Sequence, residues 1–392
     1  MELEAVRRTP AQRRGASRKT RRRGGSCRRA SFALIGWLLA VGGSGLTRAD
    51  EIAPAPESGV IRVLLMESNG RVRVRDGRPG SAETVVEPGA RGLFADRRPV
   101  GNVWRIGGGG IVAVNRMRFH GTVEFRSISG GMQVINEVKL EDYVAGILGR
   151  EIYTDWHPET LKAQAVVARS YALHARAESG GQAFDVEAGT GSQVYGGVIA
   201  ETPEIRAAAA ATRGEYLAYA REPILAVYHS ASGGRTASSE EVWGRALPYL
   251  VSLEVGDEED SPDTYWRASI SKTKLGRALD SLGIRIGSPR ELQVVDRSGS
   301  GRALRVRIRG NEGNHTLEAR ALRVALGESV IRSTLFEIRP TQDAFVFVGS
   351  GHGHGVGMSQ WGAQAMAQRG STYREIVQAF YPGTSLVEGA LR

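Results

Sequence analysis

Hydrophobic and polar residues alternate over much of the first third of the chain. Five runs between Ile61 and Val138 show this alternation and have Gly, Asn or Asp near their ends: IRVLLM, VRVR, GIVAVN, GTVEFR and MQVINEV. Successive side chains of a β-strand point to opposite faces, so such runs are typical of strands with one buried face. We therefore expect an antiparallel β region in this part of the chain.

The spacing becomes helical from Leu140 to about Ala177. The segment YTDWHP interrupts it. Pro158 and Glu159 suit the first turn of a second helix, where a proline costs no hydrogen bond and negative charge is favoured. The pattern predicts two consecutive helices with a break just before Pro158.

Shorter elements follow these helices. GEYLAYA and PILAVYHSA have the composition of strands, and SKTKLGRALDSLG has that of a helix. ELQVVDRS and ALRVRIRG predict a hairpin that turns near Gly299 and Gly301, and DAFVFVGS predicts a strand that leads into a glycine-rich run. Strands and helices do not alternate regularly, so the sequence predicts an α+β fold.

The excess of basic residues belongs to the beginning of the chain. The net charge of +10 would suggest a nucleic-acid or membrane partner, but residues 1–49 contain 12 of the 52 basic residues and only 2 of the 42 acidic ones. The remaining 40 basic and 40 acidic residues cancel. Charge therefore gives the rest of the chain no preference for nucleic acid, and we expect no nucleic-acid partner.

Residues 1–49 have the pattern of an export signal. Five arginines between positions 21 and 29 precede an apolar stretch from about Ala30 to Leu46, and the small residues Thr47 and Ala49 follow. This order is typical of a secretory signal, and an uncleaved anchor in the inner membrane is the alternative. Cys27, the single cysteine, precedes the apolar stretch, so no disulfide or thiolate chemistry is expected in the exported part.

The run VGSGHGHGVGMSQWGAQAMAQRG sets His352 and His354 among alternating glycines. A phosphate-binding Gly-x-Gly-x-x-Gly loop does not fit, because no register places a glycine at the sixth position. Zinc would need a third ligand, for which His229 is the candidate. The remaining interpretations are ordinary hydrogen-bonded loop histidines, or a flat glycine surface for a hydroxyl-rich ligand. In the second case Ser359, Gln360 and Trp361 would supply hydrogen bonds and a stacking face.

A glutamate occupies a position where the first helix should carry an apolar residue. The apolar stripe of this helix continues to Glu151 after Leu140, Tyr143, Val144, Ile147 and Leu148. Burial and the negative end of the helix dipole both disfavour a charged carboxylate, so Glu151 is expected to retain its proton as a general acid does. Tyr153 and Trp156 would line its pocket. Alternatively, Glu151 turns outward and pairs with Arg150 or Lys162.

The second helix carries two stripes. Small residues for close packing recur at Leu161, Ala165, Ala168 and Ala172. Basic residues recur every seven positions at Lys162, Arg169 and Arg176. Such a basic stripe is either a solvated face or a surface that holds an anionic or hydroxyl-rich substrate.

Four blocks of the sequence, in order, are INEVKLEDYVAGILGREIYTDWHPETLKAQAVVARSYAL, QVYGG, AVYHSASGGRTASSEEVWGRALPYL and GHGHGVGMSQWGAQAMAQRG. They resemble the successive signatures of the stage II sporulation protein D family, to which amidase-enhancer proteins also belong. The resemblance covers about residues 61–386. It implies an exported lytic transglycosylase that cleaves peptidoglycan between N-acetylmuramic acid and N-acetylglucosamine, in studied sporulation enzymes preferentially on strands stripped of stem peptides. The enhancer branch implies the alternative, a non-catalytic glycan-binding protein that stimulates a cell-wall amidase.

The resemblance also assigns site residues within a glycan cleft between lobes. It places the catalytic glutamate at Glu151 and implies no cofactor. The family commonly has Met-Pro after this glutamate, whereas Ile152 and Tyr153 follow here. Spore-forming members have a His and Cys zinc site before the Gln-x-Tyr block, but Ser192 stands there, so no zinc is carried over. The residues expected to bind substrate are Lys162, Arg169, Tyr195, Tyr228, His229, Ser230, Ser232, Gly233, Gly234, His352, His354, Ser359 and Gln360.

Five parts are predicted along the chain. They are the signal or anchor (1–49), a β-rich part (50–139), helices and strands that carry Glu151 (140–260), an inserted α/β subdomain (261–335), and a C-terminal strand, Gly/His motif and helix (336–392). The expected location is the periplasm or cell envelope, and the expected partners are glycan strands and a cell-wall amidase.

Overall fold

A computed structural model describes residues 59–189, 191–256 and 258–389 of the protein. The predicted export signal, including Cys27 and the apolar stretch, lies outside the described residues. None of the helices in the described ranges is long and apolar enough to cross a membrane.

The described residues form twenty strands. They are β1 (Val60–Ser68), β2 (Val72–Asp76), β3 (Glu83–Gly89), β4 (Gly92–Ala95), β5 (Arg98–Gly101), β6 (Val103–Val114), β7 (Met117–Ile128), β8 (Gly131–Lys139), β9 (Val186–Glu187), β10 (Glu215–Tyr219), β11 (Glu222–Pro223), β12 (Tyr228–His229), β13 (Trp266–Ser271), β14 (Pro289–Arg297), β15 (Ala303–Gly310), β16 (Asn314–Glu318), β17 (Phe336–Pro340), β18 (Ala344–Gly349), β19 (Met358–Ser359) and β20 (Ser385–Glu388).

Eight α-helices and one 3-10 turn are found in the same ranges. The helices are α1 (Leu140–Glu151), α2 (Pro158–Glu178), α3 (Pro203–Ala211), α4 (Ser239–Trp243), α5 (Lys272–Ser281), α6 (Ala319–Leu326), α7 (Gln360–Gln368) and α8 (Tyr373–Phe380), and the 3-10 turn is Gly197–Ala200. Large antiparallel sheets and separate helices together confirm the predicted α+β class.

The first half of the protein is built on a nine-stranded sheet. Its strand order is β5-β4-β3-β2-β6-β7-β8-β1-β9, and every neighbouring pair is antiparallel except β1 and β9. The antiparallel region predicted between Ile61 and Val138 is therefore confirmed. The pattern of alternation missed β3, β4 and β5. These strands are short, and β3 and β5 contain Pro88 and Pro99, respectively. The turn between β4 and β5 contains Asp96 and Arg97, both with positive φ.

Helix α1 follows β8 directly and lies with its apolar side on the sheet. All five residues of the predicted stripe, Leu140, Tyr143, Val144, Ile147 and Leu148, are buried. The helix ends at Glu151, and the next residue, Ile152, has extended backbone. The His157 side chain then accepts a hydrogen bond from the Glu159 amide, so that α2 begins at Pro158 as the sequence predicts.

Helix α2 lies between two hydrophobic cores. Its small-residue stripe, Leu161, Ala165, Ala168 and Ala172, is buried in the core of the large sheet with α1 and α3. The opposite side, with Ala163, Val166 and Val167, packs in a core formed by α7, α8 and the strands near them. The close packing predicted for the stripe is therefore confirmed.

The second half closes onto this helical layer. Strand β12 pairs in parallel with β19, and β10 pairs antiparallel with β20. Residues between Trp266 and Phe347 have a core of their own, with α5 and α6 beside the sheets β14-β15-β16 and β13-β18-β17. The predicted hairpin of β14 and β15 is present. The five-part division of the chain stays a prediction.

Candidate active site cleft

Glu151 is the last residue of α1, and its carboxyl group is only partly shielded from solvent. Its Oε1 accepts a hydrogen bond of 2.5 Å from the Val194 amide, and the Tyr228 hydroxyl donates to the same carboxyl group. Loss of hydration raises the pKa of Glu151, and the two hydrogen bonds offset part of this effect. The ionised form of this carboxyl group is therefore less favoured than it is in water, which is the direction that the helical stripe predicts.

A chain of buried polar groups holds Tyr228 beside this carboxyl group. The Tyr143 hydroxyl donates to Gln193 Oε1 at 3.2 Å, and Gln193 Nε2 donates to the Tyr228 hydroxyl at 3.4 Å. Burial raises the pKa of Tyr228 well above its ordinary value, so it keeps its proton as a donor. Gln360 Nε2 donates to the backbone oxygen of Glu151 at 2.8 Å, which ties the end of α1 to the start of α7.

Two cavities open on either side of this region, with volumes of about 550 and 670 Å³. Both are lined by Glu151, Ser230, His352 and Gln360. We call the two together the cleft. Because these four residues belong to both cavities, an extended ligand that occupied both would pass along Glu151.

Aromatic side chains line the smaller cavity. The Trp156 and Trp361 rings lie with centroids 4.6 Å apart, and Tyr153 lies 5.3 Å from Trp156 and 6.1 Å from Trp361. Tyr153 is 58% exposed. Exposed aromatic faces of this kind suit the apolar face of a sugar ring, and the sequence had indicated all three residues.

The larger cavity has a histidine and arginine lining. The His354 ring lies 5.6 Å from His229 and 5.5 Å from Trp243, centroid to centroid. Arg320 and Arg323 from α6 complete this side of the cleft. This cavity therefore offers histidine and arginine groups beside apolar and aromatic side chains such as Val227 and Trp243.

The glycine and histidine run forms one wall of the cleft as an irregular loop. Gly351, Gly353, Gly355 and Gly357 all have positive φ, between 71° and 109°. A side chain at Gly353 would place its Cβ 2.7 Å from His229 Cβ, and one at Gly357 would place it 2.0 Å from the Val227 oxygen. Alternating glycines thus let this loop lie close to β12.

Each of the three histidines in the cleft has a different hydrogen-bonding state. His229 Nδ1 lies 3.1 Å from the Val356 oxygen, and its buried Nε2 has no protein partner in the described ranges. His354 Nδ1 accepts from the Val356 amide at 3.0 Å, and burial lowers the His354 pKa to about 4. Burial, with His354 and Arg302 nearby, lowers the pKa of His229 well below its ordinary value. Both rings are therefore neutral near pH 7.

His352 is placed differently. Its Nδ1 lies 3.0 Å from Oδ2 of Asp263, and the other oxygen of Asp263 accepts from Arg332. The His352 side chain is 38% exposed and belongs to both cavities, whereas the Asp263 side chain is only 7% exposed. No pattern in the sequence indicated Asp263 or Arg332.

Four predicted substrate-binding residues instead hold a buried carboxylate, that of Glu258. It accepts from the Ser232 amide at 2.9 Å, the Ser232 hydroxyl at 2.6 Å, the Gly233 amide at 2.8 Å and the Gly234 amide at 3.2 Å, and also from the Ser359 hydroxyl. Ser232, Gly233, Gly234 and Ser359 do not line the cleft. We assign them to a carboxylate nest, defined by these four residues and Glu258, which positions the cleft walls.

Three further residues expected to bind substrate also lie outside the cleft. Arg169 has no exposed surface, and its guanidinium binds both oxygens of Glu141, at 2.7 and 3.0 Å, and the Glu215 carbonyl oxygen. Lys162 pairs with Glu159 at 2.7 Å. Tyr195 packs on Tyr143 and donates to Asn136 at 2.9 Å. Each therefore has a structural role in place of the predicted one.

The stripe of basic residues on α2 is accordingly neither a solvated face nor a substrate surface. Arg176, its third member, donates to the Val60 backbone oxygen at 2.9 Å. Each member has a protein partner that comes from another element or from the preceding turn. Among residues 59–389, apart from positions 190 and 257, no group of three or more His, Cys, Asp or Glu side chains has an arrangement suited to a metal ion.

Comparisons with known proteins point to one family. The sequence profile described as "Stage II sporulation protein" matches residues 128–219, and that of a domain of unknown function matches residues 239–357. The first match contains α1, Glu151 and α2. The second begins at α4 and contains Glu258, the subdomain with α5 and α6, and both histidines of the glycine run.

Curated relatives cover most of the chain. It is 33% identical over 278 residues to an uncharacterized protein of Brachyspira hyodysenteriae, covering 70% of this chain and 74% of that one. It is also 33% identical over 280 residues to Stage II sporulation protein D of Bacillus subtilis, covering 65% of this chain and 76% of that one. The Amidase enhancer of Bacillus subtilis is 29% identical over 289 residues, which are 62% of this chain and 40% of the enhancer. Together with the profile match around Glu151, these relatives show that the chain belongs to the stage II sporulation protein D family.

Proposed function

We propose that the protein is an exported, cell-envelope lytic transglycosylase that cleaves peptidoglycan glycan strands between N-acetylmuramic acid and N-acetylglucosamine. The observation that carries this proposal is the placement of Glu151. A partly desolvated carboxyl group with a raised pKa lies at the junction of two cavities, where a passing strand would present a glycosidic bond to it. The names of the family's curated members, a sporulation protein and an amidase enhancer, are in keeping with remodelling of the cell wall.

A single carboxyl group is sufficient for this reaction. Glu151 protonates the leaving glycosidic oxygen, and the substrate's own 6-hydroxyl attacks the anomeric carbon to give a 1,6-anhydro end. No water needs to be activated, so the second carboxylate of the hydrolytic glycosidases is not required. The carboxylate left on Glu151 is then available to accept the proton of the attacking hydroxyl.

The two cavities supply different contacts to the strand. The aromatic rings of Tyr153, Trp156 and Trp361 offer stacking faces on one side of Glu151. On the other side His229 Nε2, which has no hydrogen-bond partner among the described residues, is an acceptor for a sugar hydroxyl or amide hydrogen. Tyr228, Ser230, His352, His354 and Gln360 complete the lining that we assign to substrate.

A non-catalytic glycan-binding enhancer of a cell-wall amidase is the second candidate. The similarity to the Amidase enhancer favours it, and so does the sequence after Glu151, where Ile152 and Tyr153 replace the Met-Pro common in the family. Both candidates require the cleft and a glycan ligand. Binding to peptidoglycan therefore does not separate them, and the chemistry of the products does.

The decisive experiment is digestion of peptide-free glycan strands with the purified mature protein. Mass spectrometry should detect new 1,6-anhydro ends, and the variant Glu151→Gln should produce none while still binding strands. Binding by the wild-type protein without anhydro ends would reject the enzyme and favour the enhancer. Addition of a purified cell-wall amidase to the same strands, with their stem peptides retained, then measures any stimulation directly.

A further inference from the structure

His352 has the arrangement of a histidine in a proton-transfer pair. Its Nδ1 lies 3.0 Å from Oδ2 of Asp263, so the Nδ1 proton is donated to this carboxylate. Nε2 then carries the lone pair, on a side chain that is 38% exposed and lines both cavities. A carboxylate at one nitrogen fixes the tautomer and stabilises the imidazolium that forms when the other nitrogen takes a proton.

Backbone hydrogen bonds connect the segments that carry His352, Asp263 and Arg332. The His352 backbone forms two hydrogen bonds with Ala231, of 2.8 and 3.2 Å. On either side of His352, the Gly351 amide donates to the backbone oxygen of Asp263 at 2.8 Å, and the Gly353 amide donates to the backbone oxygen of Arg332 at 2.9 Å. These are bonds of the backbone to the segments that carry Asp263 and Arg332. The segments that carry the ring, the carboxylate and the guanidinium are therefore joined to one another in the cleft wall.

We propose that His352 is a second catalytic residue, the base that takes the proton of the substrate's 6-hydroxyl, and that Asp263 and Arg332 are positioning residues for it. This inference rests on the proposed function and alters one part of it. Glu151 then acts only as the acid. The acidic and basic side chains that line the two cavities with His352 are those of Glu151, Asp263, Arg332, Arg150, Arg320, Arg323, Glu328, His229 and His354, of which both histidines are neutral.

The step balances without any other reactant. The bond from O6 to the anomeric carbon forms while the bond from that carbon to the leaving oxygen breaks. The O6 proton passes to His352 Nε2, and the Glu151 proton passes to the leaving oxygen. His352 ends as the imidazolium and Glu151 as the carboxylate, and proton exchange with water restores both.

Neither of the other cleft histidines fits this role as well. His354 Nδ1 accepts from the Val356 amide, and its opposite side is hydrogen bonded to the Tyr228 backbone. His229 has a free Nε2, but its side chain is only 4% exposed and no carboxylate is hydrogen bonded to its Nδ1. His352 combines a carboxylate partner with an open nitrogen.

The test compares His352→Ala, with and without added imidazole, with the wild-type protein and Glu151→Gln on peptide-free strands. We expect kcat of His352→Ala to fall by about 10² or more, as is typical for loss of a general base, while KM changes little. Added imidazole should restore part of the lost anhydro products, because the exposed position leaves room for a small base. A merely structural histidine would not be replaced in this way.

Asp263→Asn tests the positioning role. It should lower kcat with little change in KM, and imidazole should not restore the activity because His352 still occupies the place of the base. Two controls lie outside the cleft: His315→Ala removes an exposed histidine of β16, and Asp296→Asn removes an exposed carboxylate that pairs with Arg305 at 2.8 Å. Both should retain wild-type kcat, and melting curves for all variants check that they fold.

The outcomes separate this inference from the proposed function. Anhydro ends from wild type and none from Glu151→Gln support the function. If His352→Ala then keeps kcat within about twofold of wild type, or loses it without any response to imidazole, the inference is overturned and Glu151 serves as acid and base. If wild type itself produces no anhydro ends, both the proposed function and the role of His352 are wrong.

Discussion

Two glutamates, the half-buried Glu151 and the buried Glu258, lie in or beside the same cleft and have opposite surroundings. Glu258 is 6% exposed and accepts hydrogen bonds from three backbone amides and two serine hydroxyls. Glu151 accepts from one backbone amide and one tyrosine hydroxyl, and the rest of its carboxyl group faces the cavities. The number of fixed donors distinguishes them, although both are glutamates removed from bulk water.

The difference distinguishes a carboxylate with a structural role from one that we propose to be reactive. Five donors compensate the lost hydration of Glu258 and join the loop at Ser232 to the start of α7 at Ser359. Two donors offset only part of the lost hydration of Glu151, so its pKa stays above the ordinary value. A substitution that gives Glu258 fewer matched donors should therefore destabilise the fold of the cleft. A substitution that removes the proton of Glu151 should instead remove its chemistry.

The largest expected effect is on Glu151. Glu151→Gln keeps the shape of the side chain but has no proton to give to the leaving oxygen, so strand cleavage should fall by about 10²-fold to 10⁴-fold. Val194 can still donate to the amide oxygen, and the Tyr228 hydroxyl can accept from the amide nitrogen, so strand binding should survive. Anhydro ends per hour and strand pull-down measure the two quantities.

The same variant has a signature in stability. Because the folded-state pKa of Glu151 is raised, ionisation of the native carboxyl group weakens folding as pH rises from the ordinary glutamate value through the raised one. Wild type and Glu151→Gln should therefore melt together at acid pH, and the variant should be equally or more stable near neutrality. A variant that melts well below wild type at pH 7 and still cleaves strands would make Glu151 a structural residue.

Substitution of Glu258 should lower the stability of the fold, in contrast to substitution of Glu151. In Glu258→Gln an amide group faces donors that need an acceptor, and hydrogen bonds to a charged group contribute roughly 1.5–3 kcal/mol each. We expect the free energy of unfolding to fall by about 2–4 kcal/mol. The matched control is Glu254→Gln, since Glu254 is an exposed glutamate paired with Arg235. Urea unfolding of both variants measures the difference, and equal stability would remove the structural role of the nest.

The aromatic side of the cleft should contribute affinity and no chemistry. Trp361→Ala removes a ring that lies against both Trp156 and Tyr153, so binding of glycan strands should weaken by about 1–2 kcal/mol, or roughly 5-fold to 30-fold. Tyr265→Ala is the control because Tyr265 is 83% exposed and lies outside the cleft lining. Titration calorimetry with a short glycan strand checks this, and unchanged affinity would exclude stacking on Trp361.

Substitution of Tyr228 should have a smaller effect, because it shifts the pKa of Glu151 and leaves the carboxyl group in place. The Tyr228 hydrogen bond lowers the pKa of Glu151, so Tyr228→Phe should raise that pKa further. The acid must be protonated to act, so the alkaline limb of the rate profile should move to higher pH. Rate profiles of wild type and variant over the same pH range measure the shift, and a movement to lower pH would contradict the assigned hydrogen bond.

Treatment with a metal chelator should have the smallest effect on stability and cleavage. His354 has a backbone group at each nitrogen, and Nδ1 of His229 and of His352 each has an acceptor, which leaves one open nitrogen on each of the latter two. A chelator should therefore change neither the melting temperature nor cleavage. Stoichiometric zinc, lost together with activity on chelation, would contradict the assignment of these histidines to sugar.

Local patterns carried most of the successful predictions. The stripe on α1 led to Glu151 because one helical turn fixes which face is buried, and Pro158 marked the start of α2 by its own geometry. Arg169 shows where such reasoning stops. Its spacing with Lys162 and Arg176 indicated a shared face, but its partner, Glu141, lies 28 positions away on another helix.

The residues that the sequence did not reveal depend on distant contacts. Asp263 and Arg332 stand in loops with no periodicity, and they matter only because His352 lies beside them in the fold. Ser232, Gly233 and Gly234 have the composition of a ligand-binding loop, and they do bind a carboxylate, but it is that of Glu258. Composition indicated a loop with free donors, but it did not indicate that a carboxylate of the protein itself would occupy them.

The pairing of β12 with β19 determines when the site forms during folding. Tyr228 and His229 meet Met358 and Ser359 across 130 positions of chain, and Glu151 meets Gln360 across 209. Closing such long loops costs chain entropy that only the finished contacts repay, so these pairings form late. A chain interrupted before Met358 would retain the residues of the nine-stranded sheet and of α1 and α2 without a closed cleft. Glu151 therefore meets Gln360 in a closed cleft only after the chain has been made and folded as far as α7.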